Sequence, residues 1–391
     1  MEFFREELDR LIQEGSYRWL RRVEGEQGPR MKVDGREVVM LCSSNYLGLA
    51  SHPKLKEAAI EAAKQYGVSS SAARLISGNV ELYERLEERL AAFTGREAAL
   101  VYANGYMANL GVIASLMGEG DLIVSDELNH ASIVDGCRLS KADVKVFPHN
   151  DVEALERILR EGASYRRRLI VVDGLYSMDG DPAPLPEIAK LVKRYGAFTM
   201  VDDSHAVGIL GEKGRGTPEH FGLNDEIDIQ MGTLGKALGG FGAYIAGSRD
   251  LREFLINRSR SFIFTCALPP HVLAVGLAAL QVLEEEPEIR ERLWENVAYF
   301  RKGLEELGFE FLGSRTHIFP IMTYEKALTM AMGERLLELG IFAQGIRPPT
   351  VPKGRCRIRA TITASHTKED LDLALSAFEQ AGREFRMIPS K

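Results

Sequence analysis

The chain is short of several things, and each shortage closes off a class of protein. It has four cysteines in 391 residues, Cys42, Cys137, Cys266 and Cys356, scattered and without a C-x-x-C pair. That argues against a disulfide framework or a zinc site and predicts free thiols in a reducing compartment. It has no long apolar run: the most hydrophobic stretch, Val272 to Leu283, falls short of the roughly 20 residues a membrane-spanning helix needs. The first residues, Met1 to Glu7, are acidic and carry no apolar signal region. Positive charge is not in excess either, since 49 Lys and Arg against 56 Asp and Glu leave a formal net charge of −7. The one basic cluster, Arg166-Arg167-Arg168, just precedes an apolar strand and reads as a solvated loop rather than a nucleic-acid patch. The expectation is a soluble cytoplasmic protein with no nucleic-acid and no membrane partner.

What is there is ordinary globular material, 45% hydrophobic and 27% charged, in a chain long enough for two sizeable cores. Phe3, Phe4, Leu8, Leu11 and Ile12 recur at helical spacing among charges, so residues 2–22 read as an amphipathic arm that needs a surface to bury against. From 53 to about 260, helical periods (54–66, 81–93, 106–117, 151–160, 185–195) alternate with apolar strands (97–102, 121–125, 143–147, 168–173, 197–202, 227–231, 242–246). That alternation predicts a mostly parallel sheet covered on both faces. After Pro269-Pro270 the pattern changes to helices up to about 283 and over 287–307, strands near 317–322, 341–346 and 355–362, and a last helix over 368–386. The expected division is an arm with short strands (1–45), a large domain (46–280) and a smaller α+β domain (281–391).

The chemistry concentrates at predicted strand ends. Val201-Asp202-Asp203-Ser204-His205 closes one apolar strand, and Thr233-Leu234-Gly235-Lys236-Ala237-Leu238-Gly239-Gly240 follows the next. A lysine to carry an aldehyde and a carboxylate to keep a pyridine nitrogen protonated are what pyridoxal phosphate (PLP) requires of its protein. Gly105, between a strand and a helix, suits phosphate binding at a helix N-terminus, and Tyr106 and His130 offer flat faces for stacking. Ser177 can donate a hydrogen bond to a cofactor oxygen, whereas Asp179 and Asp181 read as turn chemistry. No ligand set for a metal stands at a recognisable spacing. Alternation places Arg355, Arg357 and Arg359 on one strand face. An inward arginine there would suit an amino-acid carboxylate or a structural ion pair equally well.

With these residues laid out, the chain resembles the α-oxoamine synthases, fold-type I PLP enzymes of the aspartate aminotransferase-like fold that join an amino acid to an acyl-CoA with loss of carbon dioxide. The likeness is carried by Ser43-Ser44-Asn45-Tyr46-Leu47-Gly48-Leu49, Leu128-Asn129-His130-Ala131-Ser132, Ser177-Met178-Asp179-Gly180, the segments around Asp202 and Lys236, and Thr363-Ala364-Ser365-His366-Thr367. The resemblance implies that Lys236 binds the cofactor covalently, Asp202 pairs with the pyridine nitrogen, His205 contacts the phenolic oxygen, His130 stacks on the ring, and Ser177, Gly105, Tyr106 and Thr233 complete the pocket. It implies amino-acid carboxylate binding by Arg359 beside Asn45, further substrate contacts at Arg21 and Thr350, and a homodimer with the site at the interface. Within the family, Ile346-Arg347-Pro348-Pro349-Thr350-Val351-Pro352 is similar to members that take alanine and a pimeloyl thioester, from CoA or a carrier. Gly232 to Gly240 and Asp203 to Gly208 are as similar to members that take glycine and acetyl-CoA. Ser69-Ser70-Ser71-Ala72-Ala73-Arg74 stands where the first group has a glycine-rich loop, and its side chains would narrow an acyl channel. The proline-rich loop favours alanine and the pimeloyl thioester. An aminotransferase of the same fold and a non-catalytic partner subunit are the other readings.

Overall fold

Apolar runs rich in β-branched residues become buried strands here, and their two-residue alternation decides which helices cover them. The structure is a computed structural model describing residues 2–389. Its strands are β1 (Val23–Glu24), β2 (Arg30–Val33), β3 (Arg36–Met40), β4 (Ala98–Tyr102), β5 (Leu122–Asp126), β6 (Asp143–Phe147) and β7 (Arg168–Asp173). They continue as β8 (Phe198–Asp202), β9 (Ile229–Thr233), β10 (Ala243–Gly247), β11 (Ile318–Tyr324), β12 (Ile341–Phe342), β13 (Gln344–Ile346) and β14 (Cys356–Thr361).

A seven-stranded sheet in the order β4-β10-β9-β8-β7-β5-β6 forms the centre. Every strand runs the same way except β10, which is antiparallel to both β4 and β9. This is the mostly parallel, doubly covered sheet that the helix–strand alternation foretold, and it agrees with the fold that the family resemblance implies. In β7, Leu169 and Val171 pack with Ile123 and Met200 on one face. Ile170 and Val172 pack with Leu122, Val124 and Val201 on the other. Because both faces are buried, the strands read as continuous apolar runs rather than alternating ones.

β9 and β10 are joined by the loop that carries Lys236. The loop is not slack: Leu234 N–H donates to Gly242 O at 2.9 Å, Gly240 N–H to Leu234 O at 2.8 Å and Gly239 N–H to Lys236 O at 3.0 Å. Gly239 has φ +64°, and a Cβ there would lie 2.4 Å from Ala50 N. Its bare backbone lets the loop press against residues 49–50.

Two departures from the sequence expectation have local causes. The first helix is Glu2–Gln13, not 2–22. It stops because Gly15 adopts φ +59°, and the Ser16 and Tyr17 amides both turn back to Leu11 O, at 2.7 and 3.0 Å. None of its residues is buried, and Phe3, Phe4, Leu8 and Ile12 stand exposed. The strand expected over 341–346 is two strands, because each half serves a different sheet. β12 pairs parallel with β3, while β13 pairs antiparallel with β14, whose other edge holds β11. Helices at Ala131–Leu139 and Arg249–Arg258 were not anticipated. Among the described residues no helix is long and apolar enough to cross a membrane.

Candidate active site

The parallel strands β5, β7, β8 and β9 end at Asp126, Asp173, Asp202 and Thr233. Such strand ends are where open α/β sheets place ligands. Gly105, Tyr106, His130, Asp202, His205, Thr233 and Lys236 all line one cavity of about 170 Å³ at this edge. Asn109, Ser132, Asp173, Ser204 and Met231 line it too, and motif reading had not singled these out.

Asp202 is 6% exposed. Its Oδ2 accepts from Asn109 Nδ2 at 2.7 Å and its Oδ1 from the Ser204 amide at 3.1 Å. Asn109 also donates to Ser132 Oγ at 2.8 Å, and that hydroxyl lies 2.7 Å from His130 Nδ1. One chain of contacts thus fixes the carboxylate and the imidazole together. Asn109 sits one helical turn beyond Gly105, the spacing that brings both to one face, so helical periodicity was the signal that could have found it. Asp203, the next residue, points away. It is buried and accepts from Thr217 N–H (2.9 Å), Thr217 Oγ1 (2.7 Å) and Gln230 Nε2 (2.9 Å). Burial pushes its carboxyl up to about 7 against those hydrogen bonds. Asp173 is driven well above the usual carboxylate range by burial and by the neighbouring Asp202, and its Oδ1 has no protein partner.

His205 Nδ1 lies 2.7 Å from Tyr46 Oη. Burial, reinforced by Lys236 and Arg359, holds the ring well below its ordinary pKa, so it is neutral. Gly105 opens the helix Gly105–Leu116, whose cap Asn104 takes up the Met107 amide at 2.9 Å. A Cβ at Gly105 would lie 2.8 Å from Thr233 Cγ2, so only glycine leaves that helix end open to an anion. Tyr106 is exposed and its hydroxyl bonds to Asp135.

Two of the three strand arginines point inward, as alternation allowed. Arg357 is spent on Asp179 at 2.8 Å and Met178 O at 2.9 Å. Arg359, 7% exposed, donates to Ser177 O at 2.5 Å and lies 3.4 Å from Tyr46 Oη. Among the described residues no carboxylate pairs with it, which leaves its charge for an external anion. Ser177 meets the site through this carbonyl; its side chain does not line the cavity. Asn45 holds Gln27 O and the Ala50 amide, both at 3.1 Å. Behind the His130 turn, His149 bridges Asp126 (3.1 Å) and Asp181 (2.9 Å). Burial alone would favour its neutral ring, but these hydrogen bonds outweigh it and raise the pKa to about 10.

Arg21 and Thr350 lie elsewhere, in a cleft of about 470 Å³ with Tyr17, Trp19 and Phe342. Arg21 there is held by Asp34 and Glu334. The cofactor cavity fits PLP on its own features. It has a fixed buried carboxylate, a lysine, a flat exposed imidazole, an open helix N-terminus and an unpartnered Asn109 Oδ1.

Residues 36–378 match the family model for aminotransferase class I and II. The chain is 54% identical over 384 residues, 98% of each chain, to the 8-amino-7-oxononanoate synthase of Geobacter sulfurreducens. It is 50% identical to that of Thermoanaerobacter pseudethanolicus, over 99% of this chain and 98% of the relative. Among solved structures it superposes on a serine palmitoyltransferase variant from S. paucimobilis with bound PLP-myriocin aldimine, with TM-score 0.94 and 32% identity over 98% of each chain. It also superposes on the 8-amino-7-oxononanoate synthase of Francisella tularensis, with TM-score 0.78 and 28% identity over 90% of this chain and 99% of that one.

Proposed function

The chain belongs to the aminotransferase class I and II family, and on that premise we propose that it condenses L-alanine with a pimeloyl thioester, releasing 8-amino-7-oxononanoate, the free thiol and carbon dioxide. The observation that carries this reading is the 54% identity over nearly the whole length to a relative named for that product. It supports the substrate pair that the proline-rich loop already favoured, alanine and a pimeloyl thioester. The reaction forms a bond between the α-carbon of the amino acid and the thioester carbonyl carbon, expels the thiol and loses the carboxylate as carbon dioxide.

PLP bound through Lys236 supplies an electron sink for negative charge developing at the α-carbon. The chain's own residues do the rest. Asp202, fixed by Asn109 and the Ser204 amide, would keep the ring nitrogen protonated. His130 would stack on the ring, and His205 would donate to its phenolic oxygen. The amides at Gly105 and Tyr106, with Thr233, would hold the phosphate at the helix N-terminus. Lys236 lines the same cavity, where its amine would take the α-proton and return it. Arg359, buried with no acidic partner among the described residues, would bind the amino-acid carboxylate bidentately. A homodimer belongs to the same reading: Phe3, Phe4, Leu8 and Ile12 on the first helix stand exposed among the described residues, an apolar face that a second copy would cover.

The test is thiol release measured for alanine and glycine, each against pimeloyl-CoA and acetyl-CoA. The expected result is a kcat/KM at least about tenfold higher for alanine with pimeloyl-CoA than for any other pair. Preference for glycine with acetyl-CoA would overturn the substrate assignment, and amino-group transfer to a keto acid without thiol release would overturn the reaction.

A further inference from the structure

We propose that Tyr46 is a positioning residue that fixes the proton of His205 on Nε2, facing the cofactor cavity, and so sets which way that histidine can hydrogen-bond. The inference rests on the functional reading above and concerns how the chain prepares the site. Tyr46 is fully buried. Its backbone carbonyl accepts from the Ala364 amide at 2.8 Å, and the His317 ring packs against it at a steep angle of 62°, with the two ring centres 4.1 Å apart. The phenol therefore cannot swing to another partner. Its oxygen has two polar neighbours, Arg359 Nη2 at 3.4 Å and His205 Nδ1 at 2.7 Å.

A guanidinium has only donors, so the single phenolic hydrogen has one acceptor available, His205 Nδ1. If Nδ1 carried the proton instead, the buried phenolic hydrogen would be left without a partner, a cost that native interiors rarely bear. Burial with Lys236 and Arg359 close by denies the ring a second proton. The sole N–H is then on Nε2, which has no protein partner among the described residues, on a residue that lines the cavity. Donors run in one direction, from the guanidinium to the phenol, the imidazole and the cavity. His317 is held neutral, at about 3, by burial and by Arg359. Both its ring nitrogens are unpartnered, so it contributes shape rather than a competing hydrogen bond.

The experiment is nitrogen-15 imidazole spectroscopy of the holoenzyme, with His205→Asn used to assign the resonances. Wild type should show the Nε2–H tautomer, and Tyr46→Phe should shift His205 toward Nδ1–H or a mixture. In that variant the phenolic oxygen of a bound cofactor would lose a donor, and its negative charge would concentrate. The pH midpoint of the visible absorption should rise by about half a unit or more, and kcat/KM should fall on the order of tenfold. An Nδ1–H tautomer in wild type overturns the proposal with no variant needed. So does a Tyr46→Phe enzyme with unchanged tautomer and unchanged midpoint. Borohydride reduction with mass analysis separates the two levels. If wild type shows no cofactor linked to Lys236, the functional reading fails and this inference falls with it; if the linkage forms while the tautomer result goes against Tyr46, only this inference fails.

Discussion

The cavity at the strand ends and the cleft around Arg21 and Thr350 are built on opposite plans. In the first, most polar groups come from the end of a strand or the start of a helix, and Asp202 is fixed by a buried neighbour, Asn109. In the second, the wall is an extended segment after the first helix, part of the helix Lys326–Glu338, strands β12 and β13 and the loop beyond them, and its arginine is held by carboxylates that are 43% and 49% exposed. Rigid elements hold groups to the tolerance that bond-making needs, whereas loops can change without disturbing the frame. The strand-end cavity is thus the more tightly held of the two, and the cleft the more open to change.

This contrast can be broken experimentally. The largest effect belongs to Lys236→Ala, which should lower kcat by on the order of 10⁴-fold or more and abolish borohydride-reducible cofactor attachment. A reducible linkage persisting in that variant would remove the lysine from its role. Asp202→Asn should still bind PLP but lose on the order of 10² to 10³ in kcat, visible as slowed α-deuterium exchange of alanine. Arg359→Lys keeps the charge and loses the fork, so KM for alanine should rise roughly ten- to a hundredfold with a smaller change in kcat. In the cleft, Arg21→Ala and Thr350→Ala should alter the ratio of kcat/KM for pimeloyl- over acetyl-CoA by up to about tenfold while leaving cofactor affinity alone. Loss of PLP from either variant would show that the two regions are not separable.

The smallest effect tests the frame itself. His149 has its folded pKa raised above the ordinary histidine value, to about 10, by Asp126 and Asp181 against the pull of burial. Its contribution to stability is therefore present in full below about pH 6.5 and is lost as pH rises through about 10. The difference in Tm between wild type and His149→Gln should narrow over that window, and a constant difference would show that the ion pairs do not hold the His130 turn.

The strand-end residues were legible in the sequence because apolar runs end abruptly in polar groups, a signal that needs no tertiary information. The partners of those residues were not. Asn109 and Ser132 lie inside helices, where nothing local distinguishes a residue that holds a carboxylate from one that fills space. The helix Arg249–Arg258 escaped notice because its apolar stripe is brief: Leu251, Phe254 and Leu255 stand at helical spacing, but only Leu255 is fully buried. Asn45 illustrates the reverse: it stands in a telling motif, yet its amide is engaged by Gln27 O and the Ala50 amide. Arg357 and Arg359 could not be told apart by alternation, since only the approach of Asp179 to one of them leaves the other free.

The loop that carries Lys236 is closed at both ends by strands paired directly to each other, with Ala243 opposite Thr233. A crossover through a helix can absorb an added or deleted residue by fraying a turn, but this hairpin has no such slack. Any insertion or deletion between Leu234 and Gly242 would rotate the lysine off its mark or break the β9–β10 register. Changes of chain length are thus barred from this one connection, and evolution or engineering that varies the protein by resizing loops must do so elsewhere.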